Sequence, residues 1–251
     1  MTPRRRYAVP ARPARPARFE PPVGAWENDP VPPTTVDLTT TVFEAVLFDN
    51  DGTLIDSRGP VVRAWTAWAE HHGIPLERLV GLHGVPSRGI VSRVAPHLDV
   101  DAATADIDRR ELEDAEGVVA LPGAGDALAA VGGRAAIVTS AGRDLAVLRL
   151  DAAGLTPPAA FVTADDITRG KPDPEPFLLG ARKLGVDPAR CLVVEDAPAG
   201  LQAGRAARAA TLAVTTTSEV HELAPLADAV VPDLSQVTFR LVEHGVRVEL
   251  A

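Results

Sequence analysis

Two aspartates, Asp49 and Asp51, stand two apart in Asp49-Asn50-Asp51-Gly52-Thr53-Leu54, directly behind the apolar run Val42-Phe43-Glu44-Ala45-Val46-Leu47-Phe48. Where a buried strand runs out into a glycine, unpaired charge must find a cation, a set of donors or a proton. The pair suits a bound divalent metal and a phosphoryl group, with one carboxylate attacking phosphorus while its neighbour handles the proton. On these residues alone, an Asp-Gly turn closing a strand is the plainer reading.

Three further stretches weigh against that plainer reading. Val138-Thr139-Ser140-Ala141-Gly142 sets a hydroxyl pair ahead of a helix N-terminus, which offers donors to an oxyanion and would equally serve as an N-cap. Arg169-Gly170-Lys171-Pro172-Asp173-Pro174 puts a lysine before a rigid Pro-x-Pro turn, where it is a fixed point charge for an anion or a solvated loop residue. Val194-Glu195-Asp196-Ala197-Pro198-Ala199-Gly200 ends an apolar strand on two adjacent acids, a metal site or a salt-bridged loop.

The elements that must position these residues are short apolar runs at 45–48, 135–138, 160–163, 191–194, 211–214 and 229–231, separated by helical segments at 123–131, 142–153, 174–185 and 198–208. Continuous apolar strands joined by helices predict an α/β, Rossmann-like parallel sheet covered by helices on both faces. Ligands in such sheets bind beyond the carboxyl ends of the strands, where every candidate above falls. The rhythm breaks over residues 58–120, which read as helices at 60–72, 76–82, 86–95 and 101–117. This interval is expected to be an inserted small α-helical cap, hinged near 56–59 and 121–123, that closes over the core formed by 42–57 and 121–251. The C-terminal segments 237–241 and 246–250 read as an edge hairpin.

Taken together, the order Asp-x-Asp-Gly-Thr, Thr-Ser, Gly-Lys-Pro and Glu-Asp-Ala resembles the haloacid dehalogenase superfamily of phosphotransferases with a helical cap, over roughly residues 42–235. The finer resemblance is to its sugar-phosphatase and glycerol-3-phosphatase-like members, carried by Gly170-Lys171-Pro172-Asp173-Pro174-Glu175-Pro176 and the stretch 194–200. The cap segment Leu82-His83-Gly84, with Arg88 following, resembles theirs less tightly. The resemblance implies an Mg²⁺-dependent phosphomonoester hydrolase acting on small sugar or polyol phosphates. It makes Asp49 the nucleophile and Asp51 the acid that protonates the leaving oxygen, then the base that takes a proton from water. Mg²⁺ would be held by Asp49, the carbonyl of Asp51 and Asp196, with Glu195 supporting it from behind or ligating directly. Thr139 and Ser140, with the backbone donors of Gly52 and Ala141, would hold phosphoryl oxygens, and Lys171 would neutralise charge beside the nucleophile. His83 and Arg88 are candidates for substrate contacts, against the plainer reading of packing or surface residues. Trp65 and Trp68 read as cap core, the scattered histidines as solvated, and the acidic run 108–116 as an exposed helix face.

A dehalogenase is disfavoured, since a carbon–halogen displacement would not need Asp51 and the Mg²⁺ ligands. A β-phosphoglucomutase would use the same motifs, provided the phosphorylated Asp49 were shielded from water. A catalytically silent binding module would be expected to lack Asp51 or Asp196, and both are present.

The 251 residues carry a net charge of −9, with 46% hydrophobic and 24% charged residues, the composition of a globular domain. Six arginines and one acid in residues 1–20 leave −14 on the remainder, which argues against a nucleic-acid-binding body. Nine prolines in the first 33 residues predict a disordered Pro/Arg-rich tail over 1–41. Met1 is the only methionine, and Val36 and Val42 are candidate alternative starts, so N-terminal sequencing is expected to find a first residue near 36–42. No apolar run of signal-peptide or membrane-span length occurs. The single Cys191 cannot pair within the chain, consistent with a reducing, cytoplasmic setting. The expected partner is a small phosphorylated metabolite, with no nucleic acid or membrane, and the expected assembly a monomer or weak dimer.

Overall fold

The computed structural model describes residues 36–80 and 85–251. Strands β1 (Val42–Phe43) and β2 (Ala45–Phe48) lead into a two-residue strand, β3 (Ile55–Asp56). Helices α1 (Arg58–His72), α2 (Ser87–Val94) and α3 (Val100–Leu112) follow, and then β4 (Val119–Ala120). From there helix and strand alternate through α4 (Ala124–Val131), β5 (Ala135–Val138), α5 (Arg143–Ala152), β6 (Ala160–Val162) and α6 (Glu175–Leu184). The alternation continues with β7 (Cys191–Glu195), α7 (Pro198–Ala206) and β8 (Ala210–Val214). The chain finishes with α8 (Val220–Leu223), β9 (Ala229–Val231), β10 (Val237–Val242) and β11 (Gly245–Leu250).

Six of these strands form a parallel sheet in the order β6-β5-β2-β7-β8-β9, as the continuous apolar runs predict. Successive side chains of β2 go to opposite faces. Val46 and Phe48 join Ile137, Leu192 and Val194 beneath Ala127 of α4 and Leu150 of α5. Ala45 and Leu47 join Ala136, Val138 and Val193 against Phe177 of α6 and Ala203 of α7. With both faces covered, no polar alternation is tolerated, which is why these strands were legible. The chain builds outward from β2 on one side and returns to the other for β7, so the carboxyl ends of β5, β2 and β7 border one crevice.

The helical insertion between β3 and β4 has its own apolar cluster of Trp65, Trp68, Ile90, Val91, Val94 and Ile107. Trp65 and Trp68 are core residues there, and Trp68 Nε1 donates to Ala103 O at 2.9 Å. The antiparallel pair β3–β4 (Ile55↔Ala120, Asp56↔Val119) brackets the insertion. Among the described residues no helix is long and apolar enough to cross a membrane.

Several expected boundaries move. The piece at 76–82 is a 3-10 turn over Leu76–Leu79, and its last two residues lie outside the described residues. Helix α3 stops at Leu112, not 117, because Arg63 of α1 draws back Asp114 (2.7 Å) and the carbonyl of Glu116 (2.8 Å). The C-terminal hairpin is not an edge of the main sheet. It pairs with β1 in a separate antiparallel sheet, β1-β11-β10, and packs Phe239 edge-on against Phe48 with ring centroids 5.7 Å apart. Residues 36–41, expected within the disordered tail, are anchored at two points, with Asp37, Thr39 and Thr40 exposed. Leu38 is buried in the main core and the amide of Val36 donates to Asp228 Oδ1 at 2.9 Å. Residues 1–35 lie outside the described residues.

Candidate active site

Asp49 is the first residue beyond β2, and its amide continues the ladder by donating to Val194 O at 2.9 Å. The chain then closes on itself. Asn50 O accepts from the amides of Thr53, Leu54 and Ile55, and the amide of Gly52 donates to Ile55 O at 2.8 Å. Gly52 has φ of +94°, and a Cβ there would collide with the Asp196 carboxylate and Thr217. Both the backbone conformation and the close approach therefore require glycine.

Lys171 reaches this point from the loop after β6. Its ammonium, almost wholly buried, donates to Asp49 Oδ1 at 2.5 Å, Glu195 Oε1 at 2.8 Å and Val138 O at 3.0 Å, which uses all three of its hydrogens. The other oxygen of Glu195 accepts the amides of Asp196 and Ala197, each at 2.9 Å. Glu195 is thus committed to holding the lysine and the turn into α7. Gly200 leaves it room, since any Cβ at that position would overlap the carboxylate. Asp196 accepts from Thr53 Oγ1 at 3.3 Å and from Thr217 Oγ1.

Asp49, Glu195 and Asp196 are all buried, and their oxygens lie within 4.8 Å of one another. Burial pushes the Asp49 carboxyl up to about 7 against the pull of Lys171, with Glu195 adding to the rise. Asp196 is also raised, by burial first and then by the charges of Glu195 and Asp49. Burial opposes the Lys171 charge, but Asp49 and Glu195 outweigh it and lift the ammonium above the ordinary lysine range. When all three carboxyls are ionised, they outnumber the one ammonium by two negative charges in a buried pocket of hard oxygen donors, which is why Asp49 and Asp196 hold their protons more tightly without a metal. A divalent cation such as Mg²⁺ fits that charge and that donor set.

Asp51 has different neighbours. Its Oδ1 accepts from Ser57 Oγ at 2.6 Å and Arg149 Nη1 at 2.8 Å, and its Oδ2 from Asn50 Nδ2 at 3.2 Å and Thr139 Oγ1 at 3.4 Å. Arg149 also donates to Glu111 Oε1 at 3.1 Å. The carboxylate of Asp51 therefore lies outside the Asp49–Glu195–Asp196 cluster, and only its carbonyl is left for the expected metal role.

Asp49, Asp51, Thr139, Lys171, Glu195 and Asp196 thus meet as the sequence predicts, with Ser140 half-buried beside them. The expected backbone donors are bonded within their own loops. The amide of Gly52 is committed to Ile55 O, and that of Ala141 to Thr139 Oγ1 at 3.1 Å, because each loop closes its own turn. Arg88 pairs with Asp101 within the insertion and is mostly exposed. His83 lies outside the described residues. The acidic run at 108–116 is not wholly an exposed face, since Glu111 is buried against Arg149. His71 and His72 come together with Asp106, but Asp106 already binds Arg109 at 2.7 Å and Arg110 at 3.0 Å.

Ser57, Thr53, Thr217, Glu111 and Arg149 escaped the sequence reading. A run of three threonines at 215–217, just beyond β8, is the one signal that would have placed Thr217 at the sheet's carboxyl edge. Arg149 shares the buried face of α5 with Leu145, Ala146 and Leu150, a helical spacing that marks it as inward-facing.

A parallel α/β sheet with a lysine-clamped aspartate beyond its central strand defines a hydrolase-type site for an anionic group. Residues 43–208 match the haloacid dehalogenase-like hydrolase family. Hexitol phosphatase A of Escherichia coli (strain K12) is 41% identical, covering 79% of this chain and 95% of its own length. The validoxylamine A 7′-phosphate phosphatase of Streptomyces hygroscopicus subsp. limoneus is 34% identical, over 78% of this chain and 96% of its own. A hydrolase from Pseudomonas syringae superposes with a TM-score of 0.69 at 28% identity, covering 76% of this chain and 94% of that one. The chain belongs to the haloacid dehalogenase-like hydrolase family, and it is an enzyme of the phosphatase kind.

Proposed function

We propose that this phosphatase removes the phosphoryl group from small sugar or polyol phosphates by way of a phosphorylated Asp49. The observation that carries the reading is the Lys171 ammonium shared between Asp49 and Glu195, with Asp196 alongside, all buried at the carboxyl edge of the sheet. Asp49 Oδ1 is fixed by Lys171, and the carboxylate attacks phosphorus as the bond to the ester oxygen breaks. Asp51 gives its proton to that leaving oxygen. A water molecule then attacks the phosphorylated aspartate, and Asp51 takes the water's proton, restoring both carboxyl groups. Lys171 and the hydroxyl of Thr139 stabilise the negative charge on the transferring group. Asp49, Asp196 and the carbonyl of Asp51 would hold Mg²⁺, which supplies charge neutralisation at phosphorus when bound.

Residues 58–120 act as the cap over the core of 42–57 and 121–251. In support, Pro86 of the insertion lies against Gly170 of the lysine loop, leaving no room for a Cβ there, and Glu111 reaches Arg149. The similarity to a hexitol phosphatase supports a polyol or sugar phosphate. We place the enzyme in the cytoplasm, where a chain with a single buried cysteine needs no oxidising environment.

A screen of hexitol, aldose, ketose and glycerol phosphates, with and without Mg²⁺, tests the reading. Release of inorganic phosphate from at least one of them, dependent on Mg²⁺, is expected. Conversion of β-glucose 1-phosphate to its isomer without phosphate release would instead support a mutase.

A further inference from the structure

Arg149 sits on the sheet-facing side of α5, where its neighbours Leu145, Ala146 and Leu150 are apolar. A leucine would satisfy that stripe, and burying a guanidinium there is costly unless its charge is used. Its two Nη groups reach carboxylates from separate parts of the fold: Asp51 beyond β2 at 2.8 Å, and Glu111 on α3 of the insertion at 3.1 Å. All of Arg149 and Glu111 is buried, and the Nε of Arg149 has no hydrogen-bond partner among the described residues. The planar fork is therefore oriented by the two carboxylates alone. The second donor to the same Asp51 oxygen is Ser57, the residue that opens α1. Asp51 is thus held on one oxygen by a core helix whose arginine is gripped by the insertion, and by Ser57, the last core residue before the insertion begins.

We propose that Arg149 is a positioning residue for Asp51, and that Glu111 orients Arg149 for this task when the helical insertion is seated on the core. The inference rests on the reading of Asp51 as the proton-transfer group. The Asp51 carboxyl is then held in one direction by Arg149, whose own fork is fixed from the insertion by Glu111.

The role is separable from a merely structural one by the leaving group. An alkyl phosphate needs a proton on its departing oxygen, whereas p-nitrophenolate leaves as a stable anion. The ratio kcat/KM extends only through ester cleavage, so it isolates the acid step. It is measured for p-nitrophenyl phosphate and for the alkyl phosphate hydrolysed fastest among sorbitol 6-phosphate, fructose 1-phosphate and glycerol 1-phosphate. Arg149→Met is expected to lower the alkyl value by about a hundredfold and the p-nitrophenyl value by less than about tenfold. Glu111→Gln is expected to have the same selectivity at smaller size, and Arg149→Lys to recover part of the loss. The double variant Arg149→Met/Glu111→Gln, which leaves no unpaired buried acid on α3, is expected to match Arg149→Met alone, since both act through one chain of contacts. Equal losses on both esters in the double variant, or no loss, would overturn the inference. Asp51→Asn is the control. If it is selective and the Arg149 variants are not, the inference alone fails. If Asp51→Asn is itself unselective, the reading of Asp51 fails and the inference with it.

Discussion

Lys171 Nζ lies 2.5 Å from Asp49 Oδ1, and the same ammonium is anchored by Glu195 and by the carbonyl of Val138. The lysine comes from the loop after β6 and the aspartate from the end of β2, so the contact ties an outer strand of the sheet to its centre. The carboxylate is left with one oxygen constrained by the ammonium, which fixes the direction of the other, the oxygen that attacks phosphorus in the proposed reaction.

Lys171→Met removes the only cation that the described residues place among the three buried carboxylates. Phosphatase kcat is expected to fall by about a thousandfold. Urea denaturation of the metal-free variant is expected to reveal a stability loss of about 3–5 kcal/mol, because Asp49 and Glu195 lose their partner. Retention of more than about a tenth of wild-type kcat would contradict the assigned role.

Glu195→Gln probes the support of that lysine. A glutamine amide has one acceptor oxygen where the carboxylate satisfies Lys171 on one side and two backbone amides on the other. Mg²⁺ affinity and activity are expected to drop about 10–100-fold with the fold intact by circular dichroism. Unchanged magnesium affinity would show that Glu195 has no bearing on the metal.

Gly52→Ala puts a Cβ into the Asp196 carboxylate and forces a side chain into a left-handed backbone conformation. The expected result is at least about tenfold lower activity, recovered only in part by excess Mg²⁺, with backbone strain of about 1–3 kcal/mol. A fully active Gly52→Ala enzyme would mean the loop sits farther from Asp196 than described.

The carboxyls of Asp49 and Asp196 are raised by burial. An acid whose folded pKa lies above its unfolded value loses stability as pH climbs, since the unfolded chain releases its proton first. For Asp49 that window runs from the ordinary value of 3.8 to about 7. Metal-free protein is therefore expected to lose stability across this range from these two groups, and Mg²⁺ to oppose the loss. The rise in Tm produced by MgCl₂ is expected to be larger at about pH 8 than at about pH 5. A shift as large at the lower pH would contradict it.

The legible parts of this chain are those where composition and position carry the same message. Ala135–Val138 and Cys191–Glu195 are wholly apolar or nearly so because both sheet faces are covered, and Asp49, Thr139, Lys171 and Asp196 follow from the ends of such strands. The strands β3 and β4 were not legible, since two residues carry no period. Arg149 and Glu111 were missed for a different reason. Each is a charge on a helix, where a solvated face is the usual outcome, and the pairing of Arg149 with both Glu111 and Asp51 is what makes burial tolerable. Thr217 and Ser57 act through single hydroxyls, Thr217 from 21 residues beyond Asp196 and Ser57 from six residues beyond Asp51, contacts that only the folded chain reveals.

Phosphorylation of Asp49 tests the central claim most directly. In Asp51→Asn the base that activates water is lost, so a good leaving group such as p-nitrophenolate departs while the phosphorylated enzyme persists. The variant is incubated with p-nitrophenyl phosphate and Mg²⁺, quenched in acid and mapped by peptide mass spectrometry. The expected result is one phosphoryl group on the peptide that holds residue 49, at Asp49 itself, and none in Asp49→Asn/Asp51→Asn. An unmodified Asp49 in that sample, together with an Asp49→Asn enzyme that still turns over, would contradict the account.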